Sequence, residues 1–266
     1  MELFEYDYSA LVQRILDDGE LRETRNQSTK SLFGESLSFD LRDGFPLISG
    51  RKMFPKGVLG ELAALLRKPK CVEDFTKWGC NYWGQWADEN GQLELDYGNA
   101  WFDFNGFDQI ADLKHKLANN PADRRMIINA WRPDRLSDLS LPCCHYSYQF
   151  HVSTDRVLSM VWTQRSVDVM VGLPSDFILA AAWLIAVASE FNLTAGKIKM
   201  DFGDTHIYTD HIDGAKQYLK QCDDVHVAKV HWGYATDGED FCEFKPDTLI
   251  IGEYSPQPSI QFKLHG

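Results

Sequence analysis

A thiol followed by an imidazole, with arginines close by in sequence, is the sharpest chemical feature of this chain. Cys144 and His145 open the run CHYSYQF. A free cysteine is most often a small core residue. Cys144 differs in its company: it precedes His145 at the start of a strand-like run, in a region supplied with Arg124, Arg125 and Arg165. Cationic neighbours lower a thiol pKa, and the thiolate is the nucleophile. The expectation is a catalytic cysteine activated by arginine. The same arginines, with Arg25 in the loop TRNQSTK, could be solvated surface charges. A phosphate dianion, however, is held by several converging N–H forks, which arginine supplies. Further along, GDTHIY offers Asp204, His206 and Tyr208, with the last two on one strand face. Glu61, in GELAALL, reads either as the polar face of a helix or as a buried proton carrier.

Elements must bring these residues together. Apolar spacing predicts helices over 8–18, 56–66, 108–118 and 211–221, and one long buried helix over 177–193. Strands are expected within 31–41, over 126–131, 145–152 and 157–169, through KIKMDFGDTHIY, and over 225–232 and 248–254. In 145–152 alternation puts Tyr146, Tyr148, Phe150 and Val152 on one face, and His145, Ser147, Gln149 and His151 on the other. Residues 78–101 read as a Trp-rich, Gly-punctuated loop with short helical pieces. Strands grouped apart from helices indicate an α+β architecture, with a sheet backed by the buried helix.

Bulk properties narrow the classes. The chain has 266 residues, 44% hydrophobic and 25% charged, with a formal net charge of −12. It is long enough for one full core. The acidic balance argues against non-specific nucleic-acid or membrane-surface binding, though a small basic pocket can sit inside an acidic shell. The six cysteines form no CxxC pair and no disulfide framework, so a reducing cytoplasm is expected and no metal site. The acidic, amphipathic start MELFEYDYSALVQ does not read as a signal peptide. The apolar run FILAAAWLIAVASEFNL is better read as a buried core helix than as a membrane span.

Taken in order, DRRMIINAW, LPCCHYSYQF, QRSVDVMVGLPSDF and GDTHIY make the chain resemble the thymidylate synthase family, from about residue 11 to residue 254. The resemblance implies a single catalytic domain over 1–266, with a large mixed sheet packed on the long helix and a sheet-to-sheet homodimer. It implies that Cys144 adds to carbon 6 of a pyrimidine nucleoside monophosphate. Carbon 5 then attacks the one-carbon unit of 5,10-methylenetetrahydrofolate, so that covalent catalysis splits a hard substitution into easier steps. Arg25, Arg165 and Ser166 would hold the phosphate, with Arg124 and Arg125 entering from the partner subunit. Glu61 would organise water and relay protons, and Tyr97 would assist proton movement near carbon 5. His206 and Tyr208 would read the sugar. Trp83, Leu141, Asp168 and Gly172 would contact the folate. Neither a membrane nor DNA is required. The chain departs from the family pattern in several places: Cys143 stands for a proline, Ala64 for a tryptophan, and RNQS for RTGT after Arg25.

The departure with most chemical meaning is Asp176, where enzymes that make thymidylate have asparagine. Asparagine matches uracil's acceptor and donor. A carboxyl group accepts from cytosine's amino group and, with a proton, completes a second bond to ring nitrogen 3. That favours cytosine by about tenfold to a hundredfold. The competing reading is that Asp176 merely caps a helix starting at Phe177. An aspartate here is similar to the deoxycytidylate hydroxymethylases of the same family, in which water adds to the exocyclic methylene. Ser175 in place of a phenylalanine, and the polar segment IQFKLHG, would admit that water. Methyl transfer to dCMP or dUMP, hydroxymethylation of CMP or dUMP, and a non-catalytic nucleotide- or RNA-binding role are the alternatives. A zinc deaminase needs HxE and PCxxC ligands, which the chain lacks.

Overall fold

The computed structural model describes residues 4–223 and 230–265. The chain opens with helix α1 (Phe4–Asp18), which buries Tyr8, Leu11, Val12 and Ile15 at helical spacing. Three short strands follow: β1 (Glu20–Arg22), β2 (Thr29–Phe33) and β3 (Ser36–Asp40). The strand-like stretch expected over 31–41 is thus two strands. They are broken at Gly34, whose φ of 85° lies in the left-handed region that glycine adopts without strain.

Next come α2 (Pro55–Leu65), α3 (Val72–Thr76), a 3-10 turn over Trp83–Trp86, α4 (Asn99–Phe102) and α5 (Gln109–Asn119). Asp108 caps α5 by accepting the Ala111 amide at 2.8 Å. The sheet then continues through β4 (Ile127–Asn129), β5 (His145–Val152) and β6 (Val157–Asp168). Helix α6 (Gly172–Glu190) crosses over to β7 (Thr194–Tyr208), and α7 (Ile212–Cys222) follows. A separate two-stranded sheet pairs β8 (Trp232–Tyr234) with β9 (Leu249–Ile251). Of the strand expected over 225–232, residues 225–229 lie outside the described residues, and β8 begins only at Trp232.

The main sheet has seven strands in the order β1-β2-β7-β6-β5-β4, with β3 also on β7. Only β6 and β7 run parallel, joined through α6. The others pair antiparallel, so the sheet is mixed, as expected for an α+β chain. Helix α6 is apolar on every side and is buried almost throughout, between the sheet and α2. It is long and apolar enough to cross a membrane, but most of it is covered inside this fold.

Two expectations fail in ways that matter for the site. Helix α6 begins at Gly172, not at Phe177, because Pro174 is tolerated in a first helical turn. Its N-cap is Val171, so Asp176 lies inside the helix and does not cap it. The second failure is in β5, where a bulge between His145 and Ser147 breaks the alternation. His145 is therefore buried on the Tyr148 side, with its Nδ1 2.5 Å from the Tyr148 hydroxyl, rather than opposite it.

Candidate active site

Cys144 stands at the entrance to β5, partly buried. Its amide donates to the Tyr97 hydroxyl. Arg165, on the neighbouring strand β6, brings Nη2 to 3.8 Å from the Cys144 sulfur. The same guanidinium donates from Nε to the Cys143 carbonyl at 2.8 Å and from Nη2 to the Pro142 carbonyl at 3.2 Å. Arg165 thus holds the backbone just before Cys144 as well as flanking its thiol. The expected lowering of the thiol pKa is not met without ligand. Burial pushes the Cys144 thiol up, and Arg165 and Tyr97 only partly offset it. Cys143 points into the core with 1% of its surface exposed, and burial holds its thiol well above the ordinary range.

Behind the thiol lies a stack of rings. Tyr97 sits 4.7 Å from His145, and His145 4.5 Å from Trp162, centroid to centroid. Burial drives the His145 pKa down to about 3, so it is a neutral packing and hydrogen-bonding group. On the other side Tyr97 meets Trp83 edge-on at 5.7 Å, and Trp83 stacks on Phe75 at 4.8 Å. Leu141 is half-buried and packs against the hydrophobic core.

Three carboxyls converge nearby. Glu61, on α2, accepts from the Tyr82 hydroxyl at 2.5 Å and the Trp83 indole at 2.8 Å. Burial pushes its carboxyl up to about 7, against the pull of those two donors. The approach depends on Gly60. A Cβ there would lie 2.3 Å from the Trp78 carbonyl oxygen, so only glycine lets α2 press against the chain leading to Tyr82 and Trp83. Asp176 accepts from Gln164 Nε2 at 2.7 Å. Burial pushes its carboxyl up to about 8, and the charge of Glu61 adds to the effect. Asp168 accepts the Met170 and Val171 amides at 2.9 and 3.2 Å, while burial pushes its carboxyl up. Gly172 lies between Asp168 and Asp176. A Cβ there would stand 3.9 Å from the Asp168 Cβ and 4.0 Å from Asp176 Oδ2.

At the far end of β7, His206 Nδ1 is 2.8 Å from Asp204 Oδ1. Burial alone would raise the Asp204 carboxyl, but His206, Ser31 and Arg22 bring it below its usual value. Among the described residues, His206 Nε2 is buried without a hydrogen-bond partner. Tyr208 packs edge-on at 5.0 Å, so the two residues do share a face. Ser166 pairs in register with Asp204 across β6 and β7. The other cations lie apart. Arg25 sits in an exposed loop bonded to Asn26, Arg125 is exposed and pairs with Asp123 at 3.0 Å, and Arg124 is exposed. Among the described residues none of the three bonds to the group around Cys144.

The IQFKLHG segment closes one flank instead of leaving it open. Phe262 packs 5.1 Å from His211, His211 Nε2 is 2.9 Å from the Lys263 carbonyl oxygen, and His265 lies 4.3 Å from the Tyr208 ring. Ser175 turns its hydroxyl back to the Val171 carbonyl at 3.3 Å. Sequence reasoning missed three members of the site: Tyr82, Gln164 and His211. Gln164 had a signal, since Leu158, Met160, Trp162 and Gln164 form one buried row of β6. Tyr82 lies in a loop with no period to read.

A family model described as thymidylate synthase matches residues 6–265. The chain belongs to the thymidylate synthase family. Membership places its chemistry at one-carbon transfer to a pyrimidine nucleotide, with methylenetetrahydrofolate as the family's donor. The residues present fit such ligands. Among the described residues, Gln164 Oε1, His206 Nε2 and His211 Nδ1 are buried polar atoms that make no hydrogen bond, although His211 Nδ1 lies 3.9 Å from Asp168 Oδ1, and buried polar groups are ordinarily satisfied.

Proposed function

We propose that the chain transfers a one-carbon unit from 5,10-methylenetetrahydrofolate to carbon 5 of dCMP through a covalent Cys144 adduct, and that water then adds to give 5-hydroxymethyl-dCMP. The observation that carries this reading is Asp176. It is not a helix cap, it is anchored by Gln164, and burial keeps it protonated up to about pH 8. A neutral carboxyl accepts from the cytosine amino group and donates to ring nitrogen 3. The carboxyl keeps its proton and donates it in a hydrogen bond to that ring nitrogen, the strongest neutral acceptor on the base edge. Uracil presents an N3–H donor there, so the carboxyl must turn round and donate to carbonyl oxygen 4, a weaker acceptor than cytosine's ring nitrogen.

The remaining residues take roles consistent with their places. Cys144 forms the bond to carbon 6 and gives up its proton. The later loss of the carbon 5 proton and expulsion of the thiolate restore the ring. Arg165 and Ser166 face the phosphate, joined by Arg25 on its exposed loop. Arg124 and Arg125 serve the partner's site in a homodimer. His206 Nε2 takes a sugar hydroxyl, and Tyr208 lies beside it. Asp168, Trp83, Leu141 and Gly172 border the donor, which supplies the one-carbon unit when bound. Tyr97 and Glu61 handle protons at the ring. Ser175 leaves room for water, because its short side chain is turned into the helix.

The test is direct. The protein is incubated with dCMP, CMP, dUMP or UMP and methylenetetrahydrofolate, and products are weighed by mass spectrometry. Hydroxymethyl-dCMP with release of tetrahydrofolate is expected. A methylated product with release of dihydrofolate would overturn the water step, and a preference for dUMP would overturn the base assignment.

A further inference from the structure

Tyr82 touches the catalytic machinery and has no role in the account above. Its hydroxyl donates to Glu61 Oε2 at 2.5 Å while Trp83 donates to Oε1 at 2.8 Å. Both oxygens of Glu61 are therefore occupied by donors. Asp176, the second carboxyl of the pair, has Gln164 Nε2 as its donor at 2.7 Å. The two carboxyls feel one another electrostatically across the α2–α6 contact. Where buried carboxyls interact, the pair keeps a proton, and it resides on the group with less support for its charge.

We infer that Tyr82 is a positioning residue for the transfer reaction: by clamping Glu61 it makes Glu61 the charged member of the pair and leaves the proton on Asp176. The inference rests on the one-carbon-transfer reading. It ties two tasks together. An ionised Glu61 can take a proton from water, and a neutral Asp176 can donate to ring nitrogen 3 of cytosine. A hydrogen bond donated to a carboxylate favours the ionised form. The groups that face Glu61 are Tyr82 and Cys80 from the loop after α3, Trp83 from the 3-10 turn, and Asp176 from α6. Cys80 is fully buried, and burial pushes its thiol up to about 12, so it stays neutral throughout the working range. Tyr82 stays neutral as well, since burial and the Glu61 charge hold its phenol well above its ordinary value. The phenol is thus a constant donor, and Glu61 and Asp176 are the members of this group that change charge near neutrality.

The experiment reads the carboxyl itself. Protein labelled with carbon-13 at glutamate carboxyls is titrated by NMR, and the Glu61 resonance is assigned by its loss in Glu61→Gln. Tyr82→Phe removes one oxygen and keeps the ring. The Glu61 midpoint is expected to move up by about half to one pH unit, a threefold to tenfold change in its proton affinity. The acid limb of kcat for whichever nucleotide the wild type turns over should move up with it, with KM for the nucleotide nearly unchanged. A second variant carries 3-fluorotyrosine at position 82, which preserves packing and makes the hydroxyl a stronger donor. Its Glu61 midpoint should move down. If the midpoint stays in place in both variants, Tyr82 is only a packing residue and the inference fails. Failure of the hydroxymethylation reading would show separately, in the wild-type product, while the carboxyl titration would still report on Tyr82.

Discussion

Replacing Asp176 with asparagine exchanges a titrating base reader for one that does not titrate. In the wild type, Gln164 Nε2 takes Oδ2 at 2.7 Å, and the carboxyl proton is available to ring nitrogen 3 of cytosine. Asp176→Asn replaces that carboxyl O–H donor with a weaker amide donor. A neutral hydrogen bond contributes about 0.5–1.5 kcal/mol, so kcat/KM for dCMP should fall roughly twofold to tenfold. The amide matches uracil's donor and acceptor, so kcat/KM for dUMP should rise about tenfold. Competition between equimolar dCMP and dUMP, with products resolved by mass, measures the ratio directly. A ratio that moves less than about threefold would refute the base-reading role. The pH profile supplies a second check. Asp176 is neutral below about 8, so kcat/KM for dCMP should fall as pH rises through that value, and this limb should vanish in the asparagine variant. The same raised pKa has a stability consequence. The folded state binds the proton more tightly than the unfolded chain, whose aspartates titrate near about 3.9, so wild-type stability declines between there and about pH 8. The melting temperature of Asp176→Asn should therefore gain on the wild type across that window and show no gain below it.

Three further outcomes test the rest of the site. Cys144→Ala should abolish turnover, and Cys143 should not rescue it, because Cys143 is buried and its thiol is held neutral; residual product above background would contradict this. Mixing inactive Cys144→Ala with inactive Arg125→Ala should restore about a quarter of wild-type activity after subunit exchange, since one site in four then has an intact thiol and an intact partner arginine; no recovery with demonstrated exchange would remove the partner's arginine from the site. Gly60→Ala gains about 1 kcal/mol of helix propensity but forces a Cβ to 2.3 Å from the Trp78 carbonyl, and overpacking of that kind costs about 1–3 kcal/mol, so chemical denaturation should report a net loss. Activity should fall further than stability, because Tyr82 and Trp83 are pushed off Glu61.

The parts of the site that could be read in the sequence are those held by strand pairing. Cys144 and Arg165 meet because β5 and β6 are adjacent, with His145 opposite Gln164 in register. His206 and Tyr208 share a face because they stand two residues apart on β7, which stays paired with β2 through Tyr208. Where periodicity broke, the reading broke with it. The β5 bulge moved His145 to the buried side, which no alternation rule could foresee. Helix α6 starts at Gly172 rather than at the expected Phe177, because proline suits a first helical turn and Pro174 does not end the helix. The earlier start places Asp176 inside the helix. The thiol's protonation was misjudged for another reason. Sequence shows the arginines but not the burial, and burial dominates. Tyr82 was illegible because its contact with Glu61 depends on how closely α2 approaches a loop, which Gly60 decides.

Burial also reconciles an acidic chain with an anionic substrate. The protein carries a formal charge of −12, and Glu61, Asp168 and Asp176 all lie near the thiol. Three ionised carboxyls would repel a nucleotide phosphate. Desolvation instead raises all three, placing Glu61 at about 7 and Asp176 at about 8, and it keeps Cys144 a thiol. At neutral pH Glu61 and Asp176 therefore carry less negative charge than two free carboxylates would, and Arg165 is the cation beside the thiol. The same desolvation means that reactivity has to wait for the substrate. In the proposed reaction the Cys144 proton leaves when a pyrimidine ring is in place to receive the sulfur, and Asp176 donates its proton toward the basic ring nitrogen of cytosine. On that proposal, selection of the base and activation of the thiol arise from one property of the fold, the dry environment made by α2, α6 and the ring stack around Tyr97.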